Sequence, residues 1–188
     1  ASCLVGSEMC IRDRSQIVKN VFFALIGTII LAISSKIKIP FYPVPMTMQT
    51  FVVLFIGIAF GWRLGLATVS LYLLEGICGL PVFSGTPEKG LGLIYFTGPT
   101  MGYLIGFLFT VFFAGYLDYD NNIIKNFIKI TFATSFIYIL GLIWLGSLIC
   151  WDKPVYKLGA QPFLLAEAFK ILLITFTLSK IKKIRRII

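Results

Sequence analysis

Histidine is absent from the chain, which removes the commonest metal ligand and the commonest general base. Metal-dependent and acid–base enzymes therefore lose their usual residues, and no metal or cofactor is expected. Charge is scarce as well: 13% of the 188 residues are Asp, Glu, Lys or Arg, where soluble domains carry about 25%. Of four cysteines, Cys3 and Cys10 lie in the polar start and Cys78 and Cys150 end apolar segments, with no C-x-x-C pair. The latter two read as packed free thiols. No G-K-[ST] phosphate loop occurs, GLGLIYFTG being the nearest approach, so the chain does not itself hydrolyse a nucleotide.

What is present is apolar. Hydrophobic residues make up 58% of the chain and aromatics 15%, with a mean hydropathy of +0.92, the composition of an integral membrane protein. The net charge of +9 comes largely from Lys and Arg flanking apolar runs. That pattern sets membrane topology and does not suggest nucleic-acid binding.

The opening ASCLVGSEMCIRDR differs from the rest, and residues 1–14 are expected to be a non-native leader. The first apolar run is too long for a signal peptide and ends in SSKIKIP, so it stays as a membrane helix. A hydrocarbon core of about 30 Å needs about 20 helical residues. By that ruler residues 15–188 form one all-α bundle of six crossings, near 17–36, 47–62, 64–80, 98–117, 125–150 and 161–180. The second and third are short and joined only by GWRLG, so one is expected to be tilted, broken or shielded by neighbours.

An even number of crossings puts both termini on one side. Lys19, Arg63, Lys125, Lys129, Lys180, Lys182, Lys183, Arg185 and Arg186 fall there, against Lys36, Lys38, Lys89, Lys153 and Lys157 opposite. Both termini are thus expected in the cytoplasm of a multi-pass protein, and the KIKKIRR tail suits contact with anionic lipid. Small residues at intervals of four allow close helix approach: Gly98, Gly102 and Gly106 form one ridge, Gly57, Gly61 and Gly65 another. A third, Ala24, Thr28 and Ala32, reads either as packing within the chain or as a docking face for another membrane subunit.

Two segments between crossings carry polar groups. KIPFYPVPMTMQTF contains three prolines that stiffen the connection and bring Thr47, Gln49 and Thr50 to the next helix, as cleft lining or as cap and interface residues. GLPVFSGTPEKGLGLIYFTGPTMGY mixes glycine, proline and aromatics as a lid over a cleft would. Inside the last crossing sit Glu167 and Lys170, where a charge costs roughly 2.5–3.5 kcal/mol and marks a pathway or site. Lys170 lies about 12 Å beyond Pro162, in the outer half of the membrane. Residues at i and i+3 share a helix face, so the two can neutralise each other instead. Glu75 is a further intramembrane carboxylate, close enough to the outer loop to face water.

The ordered motifs PVPMTMQT, GWRLG, LYLLEGICGLPVFSG, GPTMGYLIGF and PFLLAEAFK, spanning nearly everything after about residue 20, closely resemble the BioY family, the biotin-binding substrate components of energy-coupling-factor vitamin transporters. The resemblance implies a six-helix protein of the bacterial plasma membrane that captures biotin from outside. Such a component works with a transmembrane coupling protein and two cytosolic ATPases, or alone. It also implies that Ala24, Thr28 and Ala32 meet the coupling protein. The family pattern around the sixth crossing resembles P-F-x-P-G-D-x-x-K, whereas Leu165, Ala166 and Glu167 here replace Pro, Gly and Asp. The carry-over is firmer for Lys170 than for Glu167.

Biotin offers a carboxylate on a flexible apolar tail and a bicycle whose ureido group has two N–H donors and one carbonyl. The residues expected to contact it are Lys170, then Glu167, then Gln49 and Thr47, with Phe83, Tyr103, Tyr42 and Tyr95 as candidate walls. Which end of biotin meets Lys170 and which meets Glu167 stays open. Three other readings remain: a component for another small vitamin, a passive channel, for which repeated polar rings are missing, and an intramembrane enzyme using Glu75, Glu167 and Lys170, for which no nucleophile pattern exists.

Overall fold

The computed structural model describes residues 2–39, 44–86, 90–120, 122–150 and 154–185, with backbone alone for 2–15. Its elements are α1 (Ser2–Lys36), β1 (Lys38–Ile39), β2 (Met46–Thr47), α2 (Gln49–Ile77), α3 (Leu93–Phe96), α4 (Met101–Tyr116), α5 (Ile123–Ile149), α6 (Val155–Gly159) and α7 (Gln161–Arg185). Among the described residues four helical stretches are long and apolar enough to cross a membrane, Gln16–Lys36, Gln49–Ile77, Ile123–Ile149 and Gln161–Arg185, and Met101–Tyr116 is a shorter apolar helix.

The two short apolar runs expected from sequence fall within α2, which doubles back on itself. Gly61 breaks the helix with φ 77° and ψ 173°, angles that only glycine adopts without strain. On a straight helix Gln49 and Tyr72 would stand about 35 Å apart; here the Gln49 amide donates to the Tyr72 hydroxyl at 2.6 Å. A Cβ on Gly65 would fall 3.4 Å from the Gly57 Cα, so arms 49–60 and 62–77 lie side by side. The tip of this hairpin packs on α4, where a Cβ at Gly115 would stand 2.4 Å from the Trp62 nitrogen.

The glycine ridges explain the remaining close approaches. A Cβ at Gly102 would meet the Leu140 carbonyl at 2.5 Å and one at Gly106 the Ile137 Cα at 2.6 Å, so α4 presses backbone to backbone on α5. Gly98 lies before α4 and accepts the Trp144 indole N–H through its carbonyl at 2.9 Å. At the start of α5 the Asn122 side chain caps the amides of Ile124 and Lys125, satisfying donors that would otherwise be orphaned. One apolar cluster joins α1, α2, α4 and the segment after α2 through Leu31, Tyr72, Phe83 and Phe107. A second joins α2, α5 and α7 through Leu54, Ile130 and Ile174.

One expectation changes, that of packed thiols, and the structure bears on two alternatives that the sequence left open. The stripe on α1 faces inward: Ala24 and Thr28 are 7% and 2% exposed, and Ala32 packs on the first apolar cluster. Its neighbour Gly27 abuts Thr68, Phe60 and Ile56 of α2, so packing within the chain accounts for the stripe here, and the exposed side of α1 carries Ile17, Val21, Phe22, Leu25, Ile29 and Ile33 instead. Cys78 and Cys150 are free, yet exposed and not packed, because each lies at a helix end on its outward face. Finally, α2 starts without a side-chain cap, Met48 holding the N-cap position, so Thr47 does not cap it.

Candidate functional site

The short ribbon of β1 and β2, paired antiparallel with Lys38 opposite Thr47 and Ile39 opposite Met46, ends against α7. It turns the Thr47 carbonyl toward the Lys170 ammonium, which donates to it at 2.7 Å. Lys170 also donates to Glu167 Oε1 at 2.6 Å and more weakly to Thr50 Oγ1 at 3.4 Å. Thr50 in turn donates to Glu167 Oε1 at 2.9 Å. Both charged residues are buried, 4% exposed for Lys170 and 5% for Glu167. The i, i+3 pair that the sequence allowed is therefore formed, with the Thr47 carbonyl taking a further Lys170 N–H and Thr50 a second bond to Glu167 Oε1.

Above this pair lies a cleft lined by Thr47, Gln49, Thr50 and Glu167, with Tyr95, Tyr103, Phe107, Tyr138 and Phe163 as walls. It holds about 540 Å³ free of protein atoms out to its mouth, of which the centre of a water-sized group can occupy about 60 Å³. The cleft is narrow. Among the described residues two buried side-chain atoms lack a hydrogen-bond partner, Glu167 Oε2 and Ser84 Oγ, and both residues line this cleft. A buried polar atom left unpaired costs about 1–3 kcal/mol, so a strong acceptor and a hydroxyl await partners in one place. Tyr138 lies beside the Glu167 carboxylate, near enough to interact with it by charge and by hydrogen bonding, though its geometry falls short of a formed bond to Oε2.

The other polar groups are held in place by the scaffold. Gln49 donates to the Tyr72 hydroxyl at 2.6 Å, and the Tyr72 hydroxyl donates in turn to the Val82 carbonyl at 2.9 Å. Tyr103 donates to the Gly159 carbonyl at 2.9 Å, fixing its ring against α5 and α6. Tyr95 donates to the Ser84 carbonyl at 2.7 Å and stacks on Phe83 with ring centres 4.8 Å apart. The segment after α2 is fastened to α1: Ser35 donates to the Val82 carbonyl at 2.7 Å, and Lys36 to the carbonyls of Phe83 and Thr86, each at 3.1 Å.

Of the residues expected at the site, Glu167, Gln49, Thr47 and Tyr103 line the cleft, and Lys170 and Phe83 stand behind its lining. Lys170 does not line the cleft; it lies behind Glu167, its ammonium committed to Thr47 and Glu167. Gln49, Thr47 and Tyr103 do line it. Phe83 does not, because its ring fills the space over Gly76, where a Cβ would stand 2.0 Å from Cζ; it acts by backing Tyr95. Tyr42 lies outside the described residues. Glu75 is half-buried and away from the cleft lining. Sequence reasoning missed Ser84, Tyr138, Phe107 and Phe163. Ser84 and Phe163 fall inside motifs already singled out, whereas nothing in the local pattern marks Tyr138.

Fold and cleft together define a class: a multi-pass helical membrane protein with an aromatic-walled cleft, its buried carboxylate braced by lysine. The chain belongs to the BioY family, whose model matches residues 8–187. It is 31% identical over 160 residues to a biotin transporter BioY of Thermotoga maritima, covering 85% of this chain and 93% of that one. It is 30% identical over 166 residues to a probable biotin transporter BioY of Rickettsia prowazekii, covering 86% and 82%. A crystal structure of the S-component for biotin from an ECF-type ABC transporter superposes with a TM-score of 0.77 at 26% identity, covering 90% of this chain and 93% of that one. The resemblance read from the motifs is thus borne out, and the family is one of membrane transporters.

Proposed function

We propose that this chain is the substrate-binding component of a biotin transporter, capturing the vitamin in the cleft above Glu167 and passing it inward with an ATP-driven coupling module. The observation that carries this reading is the pair of unpartnered buried atoms in one cleft. Glu167 Oε2 suits a ureido N–H and Ser84 Oγ the ureido carbonyl, while Tyr95, Tyr103, Phe107 and Phe163 supply apolar walls for the bicycle. The carboxylate tail then points toward the mouth, away from the anion at Glu167. Lys170 holds Glu167 in position and does not meet the vitamin.

Six crossings follow if arms 49–60 and 62–77 are counted separately, with 16–36, 101–116, 123–149 and 161–185. The arms are shorter than the bilayer core, which is tolerated where neighbours bury the backbone. Sidedness is supported by what gathers at each end. Arg185 approaches Gly61, within 3.4 Å of where a Cβ would be, and Lys129 pairs with Asp120 at 3.2 Å; Lys36 reaches the segment after α2 at the opposite end. The basic excess at the Gly61 end supports a cytoplasmic position for both termini, with the cleft mouth outside.

Titration of the purified protein with biotin, desthiobiotin and thiamine tests the assignment. Desthiobiotin keeps the ureido ring and tail, so it is expected to bind more weakly than biotin but above thiamine. A folded wild type that ignores biotin would overturn the function. Uptake of labelled biotin by cells with and without coupling subunits decides whether a module is required: energy-dependent accumulation without them would refute its part in the proposal.

A further inference from the structure

The seam between α5 and α7 is open along much of its length and changes character from end to end. Near the basic tail, a groove admitting water-sized groups over about 470 Å³ is lined by Ile123 and Asn126 of α5 and by Phe176, Ser179, Lys182 and Lys183 of α7, with Asp120 at its rim. Further along, a second opening of about 390 Å³ presents only apolar surface, from Phe127 and Thr131 on one side and Ile171 on the other. Ile123 and Phe176 of the polar groove are 51% and 67% exposed, so apolar surface is already bare at that end.

The basic residues at the polar end outnumber the acidic ones: Asp120 lines this groove with Lys182 and Lys183, and Asp118 lines a neighbouring opening with Lys182 and Arg185. Neither Lys182 nor Lys183 forms an ion pair among the described residues. Lys182 donates to the Tyr119 carbonyl, which steadies it without neutralising it. The one carboxylate at the rim, Asp120, is held by Lys129 at 3.2 Å, and Asn126 is turned away, donating to the Asp120 carbonyl at 2.7 Å. Two cations therefore stand at the end of a helix long and apolar enough to cross a membrane, beside apolar side chains of the same groove.

We infer that this seam is a binding site for one anionic phospholipid, its phosphate on Lys182 and Lys183 and one acyl chain lying between Ile123 and Phe176 toward Thr131 and Ile171. From Lys183 to Ile171 the helix rises about 18 Å, slightly more than half of the roughly 30 Å hydrocarbon core, the reach of one leaflet. Lys and Arg near a charged surface each contribute about a fivefold preference for anionic lipid, so two predict roughly 25-fold over a zwitterionic lipid of the same chains. The inference rests on the membrane reading and is independent of which vitamin the cleft holds.

Native mass spectrometry of the purified full chain tests it, with phosphatidylglycerol, phosphatidylcholine of identical acyl chains, and inorganic phosphate as probes. Phosphatidylglycerol is expected to be retained well above phosphatidylcholine. The preference is expected to fall severalfold in Lys183→Ala, to vanish in Lys182→Ala/Lys183→Ala, and to persist in Lys182→Arg/Lys183→Arg and in Lys19→Ala, which lies on α1. Equal retention of the two lipids, phosphate binding as tight as that of the lipid, or an unchanged preference in Lys183→Ala would each overturn the site. The arginine variant shows that loss in the alanine variant is loss of charge and not of fold.

Discussion

Exchanging the charged pair on α7 separates bracing from binding. Lys170 and Glu167 are 4% and 5% exposed and joined at 2.6 Å. Removing one member of such a pair leaves the other buried and uncompensated, a loss of about 3–5 kcal/mol, whereas replacing both with neutral groups is often close to neutral. Lys170→Met and Glu167→Gln are thus each expected to lower stability by several kcal/mol, and the double variant to regain most of it. At about 2–4 °C per kcal/mol for a chain of this size, each single variant melts roughly 6–20 °C lower in detergent. Biotin affinity behaves differently. A hydrogen bond to a charged acceptor contributes about 1.5–3 kcal/mol, so Glu167→Gln weakens binding roughly 10- to 100-fold, and the double variant recovers stability without recovering affinity. Thermal unfolding and biotin titration on the four proteins read both quantities. A Lys170→Met protein that melts like the wild type yet loses biotin would refute the bracing role and return the lysine to the ligand; a double variant binding as the wild type does would remove Glu167 from the site.

Ser84→Ala deletes the second unpartnered atom at little structural cost, and is expected to weaken biotin severalfold by titration with the melting temperature within about a degree. Gly106→Val pushes a side chain into the Ile137 Cα, 2.6 Å from the position of its Cβ; overpacking of about 1–3 kcal/mol or more should appear as a lowered melting temperature, and an unchanged one would contradict the backbone contact between α4 and α5. Cys78 and Cys150 are both exposed and end helices on the side assigned to the outside, so with Cys3 and Cys10 replaced a membrane-impermeant maleimide should label both in intact cells. Labelling only after permeabilisation would invert the topology.

The apolar runs were legible because a bilayer accepts only segments of a certain length, and the turn at Gly61 was legible because two short runs met at glycines. The site was legible in part. A lysine in an apolar helix announces that something polar is held there, but whether it faces a ligand or a neighbour is decided by the Thr47 carbonyl, 123 residues away in sequence. The stripe of Ala24, Thr28 and Ala32 has the same periodicity whether it meets another subunit or α2, since small residues serve both contacts. Phe83 and Tyr95 are adjacent rings in one stack, and only the bulk of Phe83 over Gly76 decides which of them reaches the cleft. Ser84 became visible only once the fold showed its hydroxyl buried beside Glu167 with nothing to bond.

The attachments of Ser35 and Lys36 to Val82, Phe83 and Thr86 give the first helix a mechanical role. The segment they hold carries Ser84 and leads to Tyr95, both part of the cleft lining, while the opposite side of α1 presents a row of exposed apolar residues. One face of α1 is thus packed on α2 and its end is tied to the segment that carries Ser84, while the other face is bare. A displacement of the end of α1 would therefore carry part of the cleft lining with it.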